Sequence, residues 1–316
     1  MKNYILKAAL ITVLSLCSTV TFAKDKVTVL LDWFVNPDHA ALIVAKQKGF
    51  FAAENLDVEF IEPADPSMPP KLVAAGKGDL AVDYQPQLQM SVDAGLPIKR
   101  IATLIDSPLN TLTVLKKSKI KTIADLKGKT IGYSVSGIEQ SLLAAMLATE
   151  GLTLKDVKMI NVNFSLAPAL ITGKVDAVIG GYRNFELNTL ALEGRPGRAF
   201  YVEKHGVPSY DELVLISAAN KVNDPRFKRF VTALEKATIY TKKHPKQAWH
   251  AFQSYKPNDL DNALNRRAWN DTVPLLATHP RSLNKGKYQR MAQFLQRNGI
   301  IKTVKPVSTY AVQLAK

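Results

Sequence analysis

Leu72–Tyr84 reads LVAAGKGDLAVDY, and Leu170–Tyr182 reads LITGKVDAVIGGY. Each passes from a helix end through a Gly-Lys-x-Asp turn into a short run of β-formers that ends on tyrosine. Glycine suits the end of a helix because the left-handed backbone there costs it nothing. The two copies lie too far apart for a solenoid, whose units recur every 20–50 residues or so. Two similarly built lobes account for the echo instead.

The surrounding sequence keeps the same grammar. VTVLL precedes a helix through AALIVAKQKG, DVEFIE precedes SMPPKLVAAG, DLAVDY precedes PQLQMSVDAG, and IKRIATLI follows. The second third repeats the rhythm with KTIGY, SGIEQSLLAAMLATEG, KMINV, APALITGKV and DAVIGGY. Strands alternating with helices predict an α/β chain with parallel, helix-covered sheets. The extended runs TLTVL (Thr111–Leu115) and LVLIS (Leu213–Ser217) are expected as crossings between lobes. From Asp224 to Asn298 nearly everything reads helical, opened by the cap and first-turn pair Asp224-Pro225. In open α/β sheets ligands sit beyond the carboxyl ends of the strands. Two lobes turn those ends toward each other across a cleft, which a hinge lets close.

The stretch LLDWFVNPDH (Leu30–His39) stands at such an end. Asn36 reads as an N-cap, Pro37 as the first helical residue and Asp38 as a first-turn acid. Capping leaves Asp32 and Trp33 without a task, at a place where a carboxylate and an indole line a crevice; core packing is the alternative for Trp33, and a plain helix-face position for His39. In VSGIEQS, Ser136 and Glu139 fit a capping box, while the same helix start offers free N–H groups to a ligand, with Ser134, Ser136 and Gly137 as donors. Tyr84, Tyr182 and Glu186 close or follow the echoed strands, and Tyr210, Asp211 and Glu212 precede the second crossing. Aromatic rings there sandwich a flat ligand while a carboxylate reads its donors; tyrosine is also common at strand ends of any fold.

Composition removes several function classes. The chain has 316 residues, 47% of them apolar, enough for one large or two ordinary domains. Residues 1–23 read as an export signal, with Lys2 and Lys7, the apolar AALITVLSL and the small-residue end Thr21-Phe22-Ala23. The single cysteine, Cys17, lies inside it behind Leu16, which is larger than a lipoprotein processing site takes. The mature chain therefore has no disulfide and no cysteine-held metal. The net charge of +15, or +13 without Lys2 and Lys7, is dispersed. The clusters KKSKIK and KKHPK are short and lack interleaved aromatics, so solvated faces rather than nucleic-acid contacts are expected. No G-x-S-x-G, H-E-x-x-H, P-loop or G-x-G-x-x-G motif occurs, and His39, His205, His244, His250 and His279 show no ligand spacing. No cofactor and no metal are expected.

LLDWFVNPDHAALIVAKQKGFF, GDLAVDYQPQ, LKGKTIGY, GKVDAVIGGYRNFE and HPKQAWHAFQSYKP, in this order from Val27 to Tyr255, resemble the pyrimidine-precursor family of thiamine biosynthesis. That family holds periplasmic binding proteins of ABC importers and a synthase of hydroxymethylpyrimidine phosphate. The resemblance implies a two-lobed periplasmic binding protein type II fold: lobe 1 over 24–112, lobe 2 over 113–212, and a return with C-terminal helices over 213–316. It implies a ligand site at Asp32, Trp33, Asn36, His39, Tyr84, Ser134, Ser136, Gly137, Glu139, Tyr182, Glu186, Tyr210 and Glu212. The synthase carries a cofactor lysine and a substrate histidine where this chain has Asp83 and Gln87, and a cysteine-rich loop where it has Pro208–Glu212. Those departures and the export signal point to a binder with no catalytic step. The implied partners are a small pyrimidine and an inner-membrane permease, and a monomer is expected.

Overall fold

The computed structural model describes residues 23–315; the export signal expected over residues 1–23 lies outside them but for its last residue. Ten strands form two five-stranded sheets. The first contains β1 (Asp25–Leu30), β2 (Leu56–Ile61), β3 (Leu80–Asp83), β4 (Ile98–Ile105) and β10 (Leu213–Ala218), in the order β2-β1-β3-β10-β4. The second contains β5 (Asn110–Leu115), β6 (Thr130–Tyr133), β7 (Lys158–Asn161), β8 (Ala177–Tyr182) and β9 (Gly197–Tyr201), in the order β7-β6-β8-β5-β9. The orders are equivalent place by place, and in both the fourth strand runs antiparallel to its neighbours.

The echoed segments occupy equivalent places, as β3 and β8 with the helices before them, Pro69–Ala74 and Leu166–Ile171. Gly76 and Gly173 both end those helices with positive φ, +73° and +74°. The aspartates that follow repeat one bonding pattern. Asp79 accepts from the Thr28 amide at 2.9 Å and donates its own amide to the Thr28 carbonyl, fastening β3 to β1. Asp176 does the same with Thr130, at 2.8 Å, fastening β8 to β6. A carboxylate on a backbone N–H is a charge-assisted bond, shorter and stronger than a neutral one. The Gly-Lys-x-Asp turn is therefore the clip that sets each lobe's central parallel pair.

One expectation is corrected. Thr111–Leu115 and Leu213–Ser217 are not free crossings: they lie within β5 and β10, the antiparallel fourth strands. The chain changes sheets just before each of them, between β4 and β5 and between β9 and β10. Their burial follows from this place: the described side chains of β10 are all buried, as are those of β5 up to Val114, the polar Asn110, Thr111, Thr113 and Ser217 included.

The C-terminal part is helical as read, with Asp224 accepting from the Arg226 amide to cap the helix Pro225–Lys243. Phe227, Phe230, Val231 and Leu234 turn one face of that helix into the core, where Phe230 stacks on Phe51 at 4.6 Å. Buried residues recurring at three- and four-residue steps are what bind an amphipathic helix to a sheet layer. The helix Ala263–Thr272 differs: it packs on both Pro37–His39 and the helix Glu186–Leu192, so it touches both lobes. Among the described residues no helix is long and apolar enough to cross a membrane.

Candidate binding cleft

A cleft of about 550 Å³, its open mouth included, lies where the carboxyl ends of the two sheets meet. Its lining combines Trp33, Tyr84, Tyr182 and Phe185 with the carboxyl groups of Asp32, Asp38, Glu139, Glu186 and Glu212, and contains no lysine or arginine.

The first wall is built by the turn after β1. Asn36 caps the short helix Pro37–His39, its Oδ1 accepting from the Asp38 amide at 2.8 Å. The Asn36 amide in turn reaches His39 Nδ1 at 3.3 Å. That bond makes Nδ1 the acceptor, so Nε2 carries the proton and donates to Asp32 Oδ1 at 2.9 Å. The Tyr84 hydroxyl donates to the other oxygen, Asp32 Oδ2, at 2.9 Å. His39 is thus no idle helix-face residue: 1% exposed, it orients Asp32. Trp33 stands at the mouth, its ring edge-to-face with Phe164 of the second lobe at 4.6 Å, and the exposed Phe34 contacts the same ring.

The second wall is built differently. Glu212 is fully buried, and its Oε2 accepts from the amides of Leu109 and Asn110 at 2.6 and 2.9 Å and from the Tyr210 hydroxyl at 3.0 Å. Its Oε1 makes no hydrogen bond of its own, although the Tyr182 hydroxyl stands close enough to this carboxyl to favour its ionised form. Glu139 accepts from the Ser134 amide at 2.6 Å, and Glu186 from the amide of Tyr182. The carboxylate of Glu139 lies against Gly180: a Cβ there would fall 2.2 Å from Oε1, and Gly180 has φ +99°. Only glycine meets both conditions. Asn110 Oδ1 holds the Gly180 amide at 3.1 Å.

Burial dominates the titration of these groups. Desolvation pushes Glu139 and Glu186 up to about 8 and Glu212 up to about 7, against the lowering effect of the N–H bonds they accept. Asp38 is raised to about 6 by burial, with Asn184 opposing. Unlike charges in water, carboxyls crowded in an apolar surround lose the proton late. The cluster therefore holds protons near neutrality. Among the described residues no group of three or more His, Cys, Asp or Glu side chains is arranged to hold a metal ion.

Nine of the thirteen expected residues line the cleft: Asp32, Trp33, Asn36, His39, Tyr84, Glu139, Tyr182, Glu186 and Glu212. Four stand behind or beside it. Tyr210 is buried and supports Glu212; the Ser134 amide supports Glu139; Gly137 is the N-cap of Ile138–Ala148, with φ +95°; Ser136 is exposed at the turn. The capping box expected of Ser136 and Glu139 does not form. Gln140 takes that place, its Oε1 accepting from the Gly137 amide at 2.6 Å, because the helix starts one residue later and turns Glu139 into the cleft. Asp38, Asn110, Gly180 and Phe185 also line the cleft. Asp38 had been absorbed by its first-turn role and Asn110 by its strand. The doublet Gly180-Gly181 inside a β-run was the signal open to sequence reading, since glycine in a strand marks close approach.

The geometry defines the two-lobed α/β fold known from type II periplasmic binding proteins. The alkanesulfonate-binding protein SsuA of Xanthomonas axonopodis pv. citri, bound to MOPS, shares that fold: 17% identity, TM-score 0.72, covering 93% of this chain and 99% of that one. The chain belongs to the NMT1/THI5-like family, whose model matches residues 36–248. It is 58% identical to a putative thiamine biosynthesis protein of Haemophilus influenzae over 93% of this chain and 94% of the relative. It is 37% identical to a formylaminopyrimidine-binding protein of Halalkalibacterium halodurans over 69% and 68%. A 4-amino-5-hydroxymethyl-2-methylpyrimidine phosphate synthase of Legionella pneumophila is a more distant relative, 27% identical over 80% and 81%. The thiamine-related relatives thus include a named binding protein and named synthases.

Proposed function

We propose that this chain is the periplasmic solute-binding protein of an ABC importer, and that it captures a thiamine pyrimidine precursor, formylaminomethylpyrimidine or hydroxymethylpyrimidine, without a catalytic step. The observation that carries this reading is the buried Oε1 of Glu212, an acceptor with no partner in a cleft walled by Trp33, Tyr84 and Tyr182. Leaving such a group dry and unpaired costs about 1–3 kcal/mol. A 4-aminopyrimidine relieves that cost: its flat apolar faces fit between aromatic rings, and its amine donates to the oxygen. Asn110, which also lines the cleft, offers its amide to the 5-substituent. The name of the formylaminopyrimidine-binding relative supports this cargo.

The lobes, divided near residues 112 and 212, shut over the ligand, and the permease reads the shut form. A lining with five carboxyl groups and no lysine or arginine speaks against sulfonate or nitrate as cargo. Asp83, aligned with the synthase lysine, is buried, with neither oxygen bonded, and pushed up to about 8 by burial. It offers no amine to hold a cofactor aldehyde.

The test is calorimetric titration of the mature chain, stripped of ligand by partial unfolding, with hydroxymethylpyrimidine, formylaminomethylpyrimidine, thiamine, taurine and riboflavin. Micromolar or tighter binding of one pyrimidine, about −8 kcal/mol, is expected. Heat from taurine or riboflavin with silence for both pyrimidines overturns the assignment.

A further inference from the structure

The inference rests on the pyrimidine reading above. A neutral 4-aminopyrimidine has only its amine N–H bonds to donate, and both ring nitrogens are acceptors. The cleft is itself rich in acceptors, and donors of the first wall are committed: His39 Nε2 and the Tyr84 hydroxyl to Asp32, and Asn36 Nδ2 to the Phe34 carbonyl. When the amine meets Glu212 Oε1, the ring nitrogen beside the amine is brought against the same carboxyl cluster, lone pair to lone pair. In a dry site that repulsion is strong. A proton placed between them turns it into a hydrogen bond.

We infer that the bound heterocycle shares one proton with Glu212, seated between a ring nitrogen and the carboxyl group, so that capture above neutral pH takes up one proton from solution. The count is the same whether the pair is written as carboxylic acid and neutral ring or as carboxylate and protonated ring: the complex holds one proton more than an ionised Glu212 and a free neutral base. The groups facing Glu212 are Tyr210 on its own segment, Tyr182 and Arg183 at the end of β8, Tyr84 after β3 and Glu139 on the helix Ile138–Ala148. The tyrosines are raised by burial and stay neutral. Arg183 is engaged by Glu203 through two bonds of 2.8 Å and lies over the Tyr201 ring. Glu139 and Glu186, both in the cleft lining and both raised by burial, are the remaining carboxyls that compete for the proton.

The experiment titrates the mature chain with hydroxymethylpyrimidine from about pH 6 to about pH 9.5, in two buffers of different ionisation enthalpy. Kd is expected to stay flat below about pH 7 and to rise about tenfold per pH unit above about pH 8, with proton uptake approaching one. Glu212→Gln turns a permanent N–H toward the ring nitrogen but no longer accepts from the amine, so it is expected to bind more weakly and with neither slope nor uptake; Glu139→Gln and Glu186→Gln keep both. Thermal unfolding checks that the variants are folded, and if Glu212→Gln is not, the wild-type slope and Glu139→Gln decide. Pyrimidine binding with flat Kd and no uptake overturns the shared proton and leaves the carrier reading standing. Uptake lost in Glu139→Gln or in Glu186→Gln overturns the assignment to Glu212. Silence for the pyrimidine at every pH overturns the carrier reading and this inference with it.

Discussion

The two walls of the cleft use the same residue types in opposite ways. On the first, every carboxylate oxygen of Asp32 is matched within the protein, by His39 Nε2 and by the Tyr84 hydroxyl. On the second, Glu212 spends one oxygen on three donors and keeps the other free. A carboxylate bonded at both oxygens is a strut, and one bonded at a single oxygen is a strut with a reading head. The difference teaches that acidity in the lining does not by itself mark the ligand contact; the unmatched atom does.

The largest effect expected is at the reading head. Glu212→Ala should lose at least a hundredfold in pyrimidine affinity, about 2.7 kcal/mol, because the amine loses its acceptor and the Leu109 and Asn110 amides lose theirs. The comparison predicts that Asp32→Asn behaves differently: lower melting temperature, since the Tyr84–Asp32–His39 chain is broken, with the smaller share of the damage in affinity. Calorimetry and thermal unfolding on both variants separate the two roles. Equal affinity losses would abolish the distinction between the walls.

Next comes the aromatic contact that both walls share. Trp33→Ala removes a ring that meets Phe164 across the cleft, and at least a tenfold loss in affinity, about 1.4 kcal/mol, is expected. Unchanged affinity in a calorimetric titration would take Trp33 out of the site and leave it as a contact that merely joins the lobes.

The stability of the empty protein should also report the second wall. Glu139 and Glu186, at about 8, and Glu212, at about 7, stand above the ordinary glutamate value because of burial. The native state then binds more protons than the unfolded chain between about pH 4.5 and about pH 8, so stability falls as pH rises through that window. The melting temperature of the ligand-free chain should be higher near pH 5 than near pH 8. A rise over the same interval would mean that these carboxyls are ionised and paired.

The sheets were largely legible because each rests on local signals repeated in order: the echoed Gly-Lys-x-Asp clip, the Asp224 cap, the strand–helix rhythm. Strand placement was less so. Thr111–Leu115 and Leu213–Ser217 read as extended, but extension does not say which sheet a strand joins, and that is settled by long-range pairing with β8 and β3. At the site, residue types that suit a flat polar ligand drew attention to Trp33, Tyr84, Tyr182 and Glu212. What one dimension hides is the direction of each side chain. A helix beginning at Ile138 rather than one residue earlier moves Glu139 from a backbone cap to the cleft, and Asn110 and Asp38 reach it only because the second lobe folds against the first.

Asp38 carries the smallest predicted effect and the one that bears on closure. Its Oδ1 accepts from Asn184 Nδ2 of the second lobe at 2.6 Å, and the same amide reaches Thr272 Oγ1 of the helix Ala263–Thr272 at 2.6 Å. One amide thus pins three segments, and a neighbouring bond, Asn188 Nδ2 to Asp271 Oδ2 at 2.7 Å, repeats the tie at the exposed rim. None of these groups needs to touch the ligand to matter, because a ligand that binds the closed form best pays for closing. Asn184→Ala removes the tie at a cost of about 1 kcal/mol, which should weaken pyrimidine binding about fivefold while leaving the reading head and the aromatic wall in place. The signature is kinetic: opening becomes easier, so the loss should appear in the dissociation rate, measured by stopped-flow tryptophan fluorescence. A loss confined to the association rate would mean that the Asp38–Asn184 bond belongs to folding of the wall and not to the shut cleft.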